Sequence, residues 1–340
     1  MSDIKLFALD QGNASELSGH SASLEKHLQQ DIERNMLTLL GVNFLASEYS
    51  TGKTHRGRID SLGLDENNCP VIIEYKRHSN ENVINQGLFY LDWLLDHQAE
   101  FRWLVMETLG KETADAIEWN GTRLICIAAD FNRYDEHAVQ QINRNIELMR
   151  YRYFGANLLL LELVNAQTAQ LSQTSKVVAA ASSTLSSPAL TSTTVETIST
   201  SSDTSPQDTT VADAKPATRG DKSQQERLAE ASPQLLEFYT SLCDYIESLG
   251  DEVQRKELKL YTAFKRIRNF ACVLVVNGRD PRLQLYLNLP GSEANGKDEK
   301  WMRDVSEIGR WGTGDLEVNV RTAEELEEAR LLIEKAYRES

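Results

Sequence analysis

The sequence GRIDSLGLDENNCPVIIEYKR, residues 57–77, decides how the first half of the chain is interpreted. It consists of two apolar segments around a polar turn, which is the pattern of a β-hairpin. Asp60 lies in the first segment, and Glu74 and Lys76 lie in the second, where a buried strand usually carries Val or Ile. Three charged side chains in a predicted interior therefore indicate a site rather than a core.

The register of this hairpin brings the charges together. Because side chains alternate across a strand, Glu74 and Lys76 lie on one face. A five-residue loop at residues 65–69 places Asp60 opposite Glu74. Opposed residues hold their Cβ atoms about 5 Å apart, so the two carboxylates could bind one divalent cation.

Oxygen ligands with room for water suit Mg²⁺ or Mn²⁺. Such a cation polarises a phosphate and lowers the pKa of a bound water, and Lys76 would act as catalytic base or stabilise charge on the phosphoryl oxygens. Two alternatives stay open. The charges could be solvated on a hairpin at a sheet edge, or Asp60 and Glu74 could be the acid and base of a glycosidase, a scheme in which Lys76 has no role.

Around this hairpin the periodicity predicts a layered α/β or α+β domain over residues 1–166. Its predicted elements are a possible edge strand at 4–9, a helix at 23–39 with Ser23 as N-cap and Gly41 as its end, strands at 42–49, 58–64 and 71–77, helices at 81–97 and 97–109, a strand at 123–128, a helix at 135–151 and a strand at 158–164.

The second half of the chain changes composition twice. Residues 167–232 are rich in Ser, Thr and Ala and are predicted to be a disordered linker. Residues 233–340 are predicted to form a small separate α+β domain. Its predicted elements are a helix at 235–249, strands at 259–264, 270–276, 283–289 and 316–320, and a helix at 323–337 with Thr322 as N-cap.

The amino-acid composition bears on where the protein is located and on whether it binds nucleic acid or membranes. The formal net charge is −15 with an isoelectric point near 5.0, so nucleic acid could bind only at a local basic patch. The four cysteines lie far apart, which favours buried thiols over a zinc site. The longest apolar run, residues 158–161, is too short to cross a bilayer. We therefore expect a cytoplasmic protein without a membrane partner.

Three blocks resemble the PD-(D/E)XK nuclease superfamily, and within it the NucS-type endonucleases. They are GRID at residues 57–60, IEYKR at residues 73–77, and Gln86 with Tyr90 as a Q-x-x-x-Y element, and the resemblance covers roughly residues 20–165. Ile59 stands where the superfamily usually has Pro. The resemblance implies a restriction-endonuclease-like core, with a central mixed sheet flanked by helices.

The resemblance also implies roles for individual residues. Asp60 and Glu74 would bind the metal, Lys76 would assist catalysis, and Gln86 would support the site. A Glu of the opening helix often completes such sites. Glu25 takes that place here, and Glu33 and Glu48 are less favoured candidates.

Basic residues are the candidates for nucleic-acid contacts. Arg58, Arg77 and His78 flank the site and could position phosphates. Lys265, Arg266 and Arg268 belong to a basic run with interleaved aromatic residues, a composition that suits flexible nucleic acid and equally a solvated face over core aromatics. Residues 261–269 and 309–318 resemble a small domain of uncharacterised function that often follows such nuclease-like modules.

The sequence thus predicts a metal-dependent DNA endonuclease that hydrolyses phosphodiester bonds in repair or in defence against foreign DNA. The alternative is a catalytically inactive nuclease fold that binds nucleic acid or protein. A protein partner or a homodimer contact is expected through the C-terminal domain.

Overall fold

Two β-sheets organise the part of the chain that the computed structural model describes, which is residues 4–52, 56–77, 82–168, 222–307 and 313–340. A seven-stranded sheet lies in the N-terminal part and a six-stranded sheet in the C-terminal part. Among the described helices, none is long and apolar enough to cross a membrane.

The N-terminal elements follow the predicted order closely. In chain order they are β1 (Leu6–Asp10), β2 (Asn13–Leu17), β3 (Gly19–His20), α1 (Glu25–Arg34), α2 (Met36–Leu40), β4 (Val42–Ser50), β5 (Arg58–Asp65), β6 (Pro70–Lys76), α3 (Asn82–Asp96), α4 (Gln98–Leu109), α5 (Lys111–Asp115), β7 (Arg123–Ala128), α6 (Arg133–Gln140), β8 (Asn145–Phe154) and β9 (Leu158–Gln167).

The central sheet is mixed and has the order β3-β8-β7-β6-β5-β4, with β9 paired to β8. Strands β6, β7 and β8 run parallel, whereas β4, β5 and β6 are joined as antiparallel neighbours. Parallel strands covered on both faces read as continuous apolar runs, which explains the sequence of β6 and β7. The predicted mixed sheet with flanking helices is confirmed.

Helices cover both faces of this sheet. The buried stripe of α1 and α2, with Leu28, Ile32 and Met36, packs on Val71 and Ile73 of β6. Helices α3 and α4 pack on the other face. Helix α2 ends at Gly41, whose φ of 63° lies in the left-handed region that glycine adopts without strain, as predicted for the end of the first helical segment.

The sequence prediction is wrong for residues 141–151. Helix α6 ends at Gln140, and β8 begins at Asn145. The apolar residues Val139, Ile142, Ile146 and Met149 recur at helical spacing, but the segment pairs in parallel with β7 over the whole length of that strand. Pairing to an existing sheet edge decided the conformation, because tertiary contacts override a short local pattern.

The N-terminal segment also differs from the prediction of a possible edge strand. Strand β1 does not join the central sheet. It pairs with β2 in a separate two-stranded sheet, whose turn places Gln11 and Gly12 at positive φ.

The C-terminal part is an antiparallel sheet with helices. In chain order its elements are α7 (Gln224–Ala229), α8 (Pro233–Glu247), β10 (Gln254–Glu257), β11 (Thr262–Lys265), β12 (Asn269–Val276), β13 (Arg282–Leu287), β14 (Met302–Asp304), β15 (Leu316–Val320) and α9 (Ala323–Glu339). The sheet order is β10-β11-β12-β13-β15-β14, and α8 and α9 bury their apolar sides in one core with it. Thr322 caps α9 in a capping box, which confirms that prediction.

The predicted linker extends too far toward the C-terminus. Ser223 caps α7, and the side chain of Gln224 is 2 % exposed. Its amide donates to the carbonyl of Val273 (3.2 Å) and its carbonyl oxygen accepts from the backbone N–H of Val275 (3.2 Å). These bonds attach α7 to β12, so residues 222–232 of the predicted linker belong to the folded C-terminal part. Residues 169–221 of the predicted linker lie outside the described residues.

Candidate active site

The β5–β6 hairpin opens where its two acidic residues face each other. The ladder has the predicted register and ends with the pair Ser61 and Ile73. Beyond that pair, the side chains replace backbone partners: Asp60 Oδ2 accepts from the N–H of Tyr75 (3.0 Å), and Glu74 Oε1 accepts from the N–H of Asp60 (3.2 Å). The two carboxylates are therefore brought together between the diverging strands.

Glu74 has an unusual environment for a carboxylate. It is 0 % exposed, and its Oε2 atom has no hydrogen-bond partner among the described residues. Burial and the neighbouring Asp60 carboxylate raise the pKa of Glu74 to about 9. A buried acceptor without a partner costs free energy, and a proton or a cation at this position would remove that cost.

Asp60 is half-buried, and its carboxyl responds to opposing influences. Burial raises the pKa of Asp60, while the N–H of Tyr75 and the ammonium of Lys76 act in the opposite direction. The acidic residues Glu25 and Glu48 raise it further. Asp60 and Glu74 thus form a pair of carboxyl groups that both resist ionisation in the absence of a counter-charge.

Lys76 is held beside this pair by Glu25. Its Nζ lies 3.2 Å from Oε1 of Glu25, and the second carboxylate oxygen of Glu25 accepts from the N–H of Arg77 (3.0 Å). Glu25, at the first turn of α1, therefore fixes the end of β6 and the lysine ammonium. In this arrangement it positions Lys76.

A buried polar network behind Asp60 was not predicted from the sequence. The side-chain amide of Gln29 donates to the backbone carbonyl of Asp60 (2.8 Å) and to Glu33 Oε1 (3.0 Å). Ser61 donates to the same oxygen of Glu33 (2.6 Å) and contacts the hydroxyl of Tyr75 (3.1 Å). Helix α1 is thereby tied to both strands that carry the carboxylates. The sequence contained one sign of this network in each of two apolar patterns. These signs are the polar residues Gln29, next to Leu28, and Ser61, between Ile59 and Leu62.

Gln86 lies on α3 and contacts the site indirectly. Its amide donates to the hydroxyl of Tyr90 (3.4 Å), which also accepts from the N–H of Arg58 (3.2 Å). Tyr90 is 7 % exposed and lies over the chain where β5 begins. Gln86 is therefore placed to orient Tyr90 and the start of β5, rather than to contact the carboxylates.

We expect Gly57→Ala to disturb the start of β5. A Cβ atom at Gly57 would collide with Cε1 of Tyr90, whose ring packs in the core. Overpacking of this kind costs about 1–3 kcal/mol of unfolding free energy, measurable by urea denaturation. Gly155→Ala, where no atom lies within 4 Å of the new Cβ but the φ of 57° is unfavourable, is a control for strain without collision. A smaller loss for Gly57→Ala than for Gly155→Ala would contradict this packing role.

The predicted basic contacts divide into two groups. Arg58 and Arg77 are exposed beside the carboxylates, and the guanidinium of Arg58 pairs with Glu48. His78 lies outside the described residues. Arg266 and Arg268 pair with Glu252 (3.2 Å) and Glu66 (3.4 Å), and Glu66 lies at the opposite end of the hairpin from Asp60.

Lys265 does not belong to an exposed basic surface. It is 1 % exposed, and its ammonium lies 2.6 Å from Glu147 Oε1. The aromatic residues around it belong to the core, as the solvated-face alternative expected for Phe264 and Phe270. An enclosed ammonium that is already paired cannot contact a phosphate backbone, so Lys265 is removed from the predicted nucleic-acid contacts.

The donor set at the hairpin is small. Among the residues that the structure describes, no three or more His, Cys, Asp or Glu side chains are grouped closely enough to hold a metal ion. The hairpin offers two carboxylates, Asp60 and Glu74. Mg²⁺ commonly binds through one or two carboxylates and keeps several waters, so this donor set fits a hard, hydrated cation better than zinc.

Comparisons with known proteins give limited similarity. Residues 225–340 match a domain of unknown function (DUF5655). A protein of Haemophilus influenzae described as uncharacterized is 26 % identical over 341 residues, covering 99 % of this chain and 100 % of the relative.

Two solved structures are similar to part of this chain. A repair endonuclease from Pyrococcus abyssi is 18 % identical with a TM-score of 0.26, covering 38 % of this chain and 47 % of that one. A complex of EndoMS with double-stranded DNA is 17 % identical with a TM-score of 0.23, covering 42 % of this chain and 49 % of that one. The matched part of the chain covers about half the length of each of these structures.

Proposed function

We propose that the protein is a metal-dependent DNA endonuclease that hydrolyses phosphodiester bonds at the open end of the β5–β6 hairpin. The observation that carries this proposal is the pair Asp60 and Glu74, with a buried oxygen of Glu74 that has no partner among the described residues. Such an atom does not usually stabilise a fold, because pairing it or replacing it with an apolar group would give a lower free energy.

The residues present fit a divalent cation. Asp60 and Glu74 supply oxygen donors, the chemistry that Mg²⁺ and Mn²⁺ prefer. When bound, such a cation polarises the scissile phosphate and lowers the pKa of a bound water. The pKa of both carboxyl groups is raised, so each favours its protonated form more than a free carboxyl group does when no cation neutralises it.

Lys76 supplies the positive charge of the site. It lies two residues after Glu74, and Glu25 holds its ammonium. From this position the ammonium can stabilise negative charge on the phosphoryl oxygens or, after losing a proton, accept one from the attacking water. Glu25 and the Gln29–Glu33–Ser61 network keep the groups in place, which matters because catalysis depends on fixed geometry.

Substrate binding would depend on a few local contacts. The net charge of −15 is unfavourable for DNA binding by the molecule as a whole. Arg58 and Arg77 are exposed beside the site and can position phosphates, which fixes the register of a strand without reading its sequence. Because the salt dependence of binding grows with the number of phosphates neutralised, two such contacts predict a moderate fall of DNA affinity with added salt.

The test is cleavage of single-stranded, duplex and branched DNA with Mg²⁺, with Mn²⁺ and with EDTA. We expect cleavage that needs the cation, and a loss of about 100-fold or more in Lys76→Met, because a positioned acid–base or charge-stabilising group contributes at least that much. Lys111→Met, at an exposed site on α5, is the matched control and should cleave normally. Equal absence of cleavage by wild type and Lys76→Met on every substrate would refute the enzymatic proposal.

A second candidate function is nucleic-acid or protein binding without catalysis. It is favoured by the small donor set, since only two carboxylates meet at the hairpin among the described residues and Glu25 is already paired with Lys76. This function predicts binding that is independent of metal and survives Glu74→Ala. Measuring the DNA affinity of the wild type and of Glu74→Ala in EDTA distinguishes this binding function from the endonuclease.

A further inference from the structure

The loop end of the β5–β6 hairpin is enclosed by the C-terminal part of the chain. The side chain of Asn67 accepts from the hydroxyl of Tyr261 (3.0 Å) and from the amide of Asn269 (2.7 Å). Glu66 accepts from the backbone N–H of Asn269 (2.9 Å) and pairs with Arg268. The three hydrogen bonds join residues between 194 and 203 positions apart in sequence.

A buried charge cluster continues this contact. Arg123, at the start of β7, donates to both oxygens of Glu147 (2.7 and 2.9 Å) and lies 3.3 Å from Asp65. Lys265, the last residue of β11, donates to Glu147 (2.6 Å). All four side chains are at most 3 % exposed. The ammonium of Lys265 in the C-terminal part thus lies in a buried site formed by Asp65, Arg123 and Glu147 of the N-terminal part.

An apolar contact accompanies the polar ones. Ile267, two residues after Lys265, packs against the cluster formed by α1, α2 and the central sheet. Residues 265–269 therefore present a cation, an apolar side chain and an amide to three adjacent sites of the N-terminal part. If the two parts separated, Lys265 would lose its buried partner, and the pair Arg123 and Glu147 would meet solvent on one side.

The contact surface belongs to the region that matches the domain of unknown function, since residues 225–340 include Tyr261, Lys265 and Asn269. We propose that residues 222–340 are a docking module whose partner is the loop end of the β5–β6 hairpin with the adjoining starts of β7 and β8. The association does not depend on the chain connection through residues 169–221. The module therefore holds one end of the hairpin whose other end carries Asp60 and Glu74, about 13 Å away.

The test uses the full chain with a protease recognition site inserted within residues 169–221. After cleavage, the two pieces should co-elute as one particle on size-exclusion chromatography with light scattering, and should remain together on dilution to micromolar concentration. Pieces that separate there, while each keeps its circular dichroism, would overturn the proposal.

Variants identify the contacts that hold the pieces. Lys265→Met should weaken the association about 100-fold or more, because it leaves Glu147 with one fewer buried partner. Lys335→Met is the matched control, since Lys335 pairs with Glu293 inside the C-terminal part. If the cleaved Lys265→Met protein had the same dissociation constant as the cleaved wild type, the Lys265–Glu147 contact would not hold the pieces together.

A milder pair of variants serves if Lys265→Met does not fold. Tyr261→Phe removes the hydroxyl bonded to Asn67 and should weaken the association about 3- to 10-fold. Tyr286→Phe removes a buried hydroxyl bonded to Gln284 within the C-terminal sheet and should leave the association unchanged. Equal dissociation constants for the two variants would contradict docking at the hairpin loop.

Discussion

Glu74→Gln should strongly reduce cleavage and, at the same time, make the metal-free protein more stable. The variant keeps the shape of the side chain but removes the charge that a cation would need, so we expect a loss of about 100- to 1000-fold in cleavage rate, the order of effect seen when a group that stabilises developing charge is removed. It also removes a buried carboxyl whose Oε2 has no partner among the described residues.

The sign of the stability change follows from the raised pKa. The pKa of Glu74 is about 9 in the folded protein, against an ordinary value of 4.5. Between these values the folded state binds more protons than the unfolded state, so the free energy of unfolding falls as pH rises, by up to about 1.4 kcal/mol for each pH unit. Below the ordinary value both states are protonated, and the contribution is fully present.

The side-chain amide that replaces the carboxyl group does not titrate, so the part of this decline in stability that Glu74 causes should be absent from the variant. We expect Glu74→Gln to exceed wild type by about 2–4 kcal/mol at pH 8 and to match it more closely at pH 5, in urea denaturation with EDTA present. Glu237→Gln, at an exposed position of α8, should show neither effect. Retained cleavage, or lower stability than wild type at pH 8, would contradict the assigned role of Glu74.

Arg123→Met should cause a large loss of stability. Arg123 is 2 % exposed and is the partner of two buried carboxylates, Glu147 and Asp65. Burial by itself would raise the pKa of Glu147, but Arg123 and Lys265 lower it to about 2. Removing the guanidinium leaves these carboxylates short of positive charge in the interior, which typically costs about 3–5 kcal/mol.

The measurement is urea denaturation at neutral pH, with Arg144→Met as the control. Arg144 is exposed just before β8, and its loss should cost less than about 0.5 kcal/mol. We also expect Arg123→Met to lose less stability at low pH, where Glu147 can accept a proton. A loss of under about 1 kcal/mol for Arg123→Met would show that the cluster contributes little.

The candidate site was largely accessible from residue patterns. A five-residue loop at residues 65–69 was enough to predict the register that places Asp60 opposite Glu74, because the loop length fixes the pairing of the two strands of a hairpin. The network of Gln29, Glu33 and Ser61 was missed, although Glu33 had been named as a less favoured candidate for the site. Its members are far apart in sequence, and a single polar residue in an apolar pattern does not name its partner.

Other features followed from long-range packing and could not be read locally. The helical spacing of apolar residues continues from α6 to Met149, yet residues 145–150 pair in parallel with β7 and form a strand. Lys265 belongs to a run of basic residues that looked like a solvated or phosphate-binding face. Its burial depends on Glu147 and Arg123, more than a hundred positions earlier.

The sequence by itself determined the local structure: the hairpin and its acidic pair, the glycine that ends α2, and the capped helix α9. These depend on side-chain alternation, on the conformational freedom of glycine and on hydrogen bonds within a few residues. Only the tertiary structure decided that Glu25 is committed to Lys76, that β8 is a strand and that the C-terminal part encloses the hairpin loop. The reason is physical, because a buried charge is stable only with a partner, and the chain brings that partner from a distance that no local pattern records.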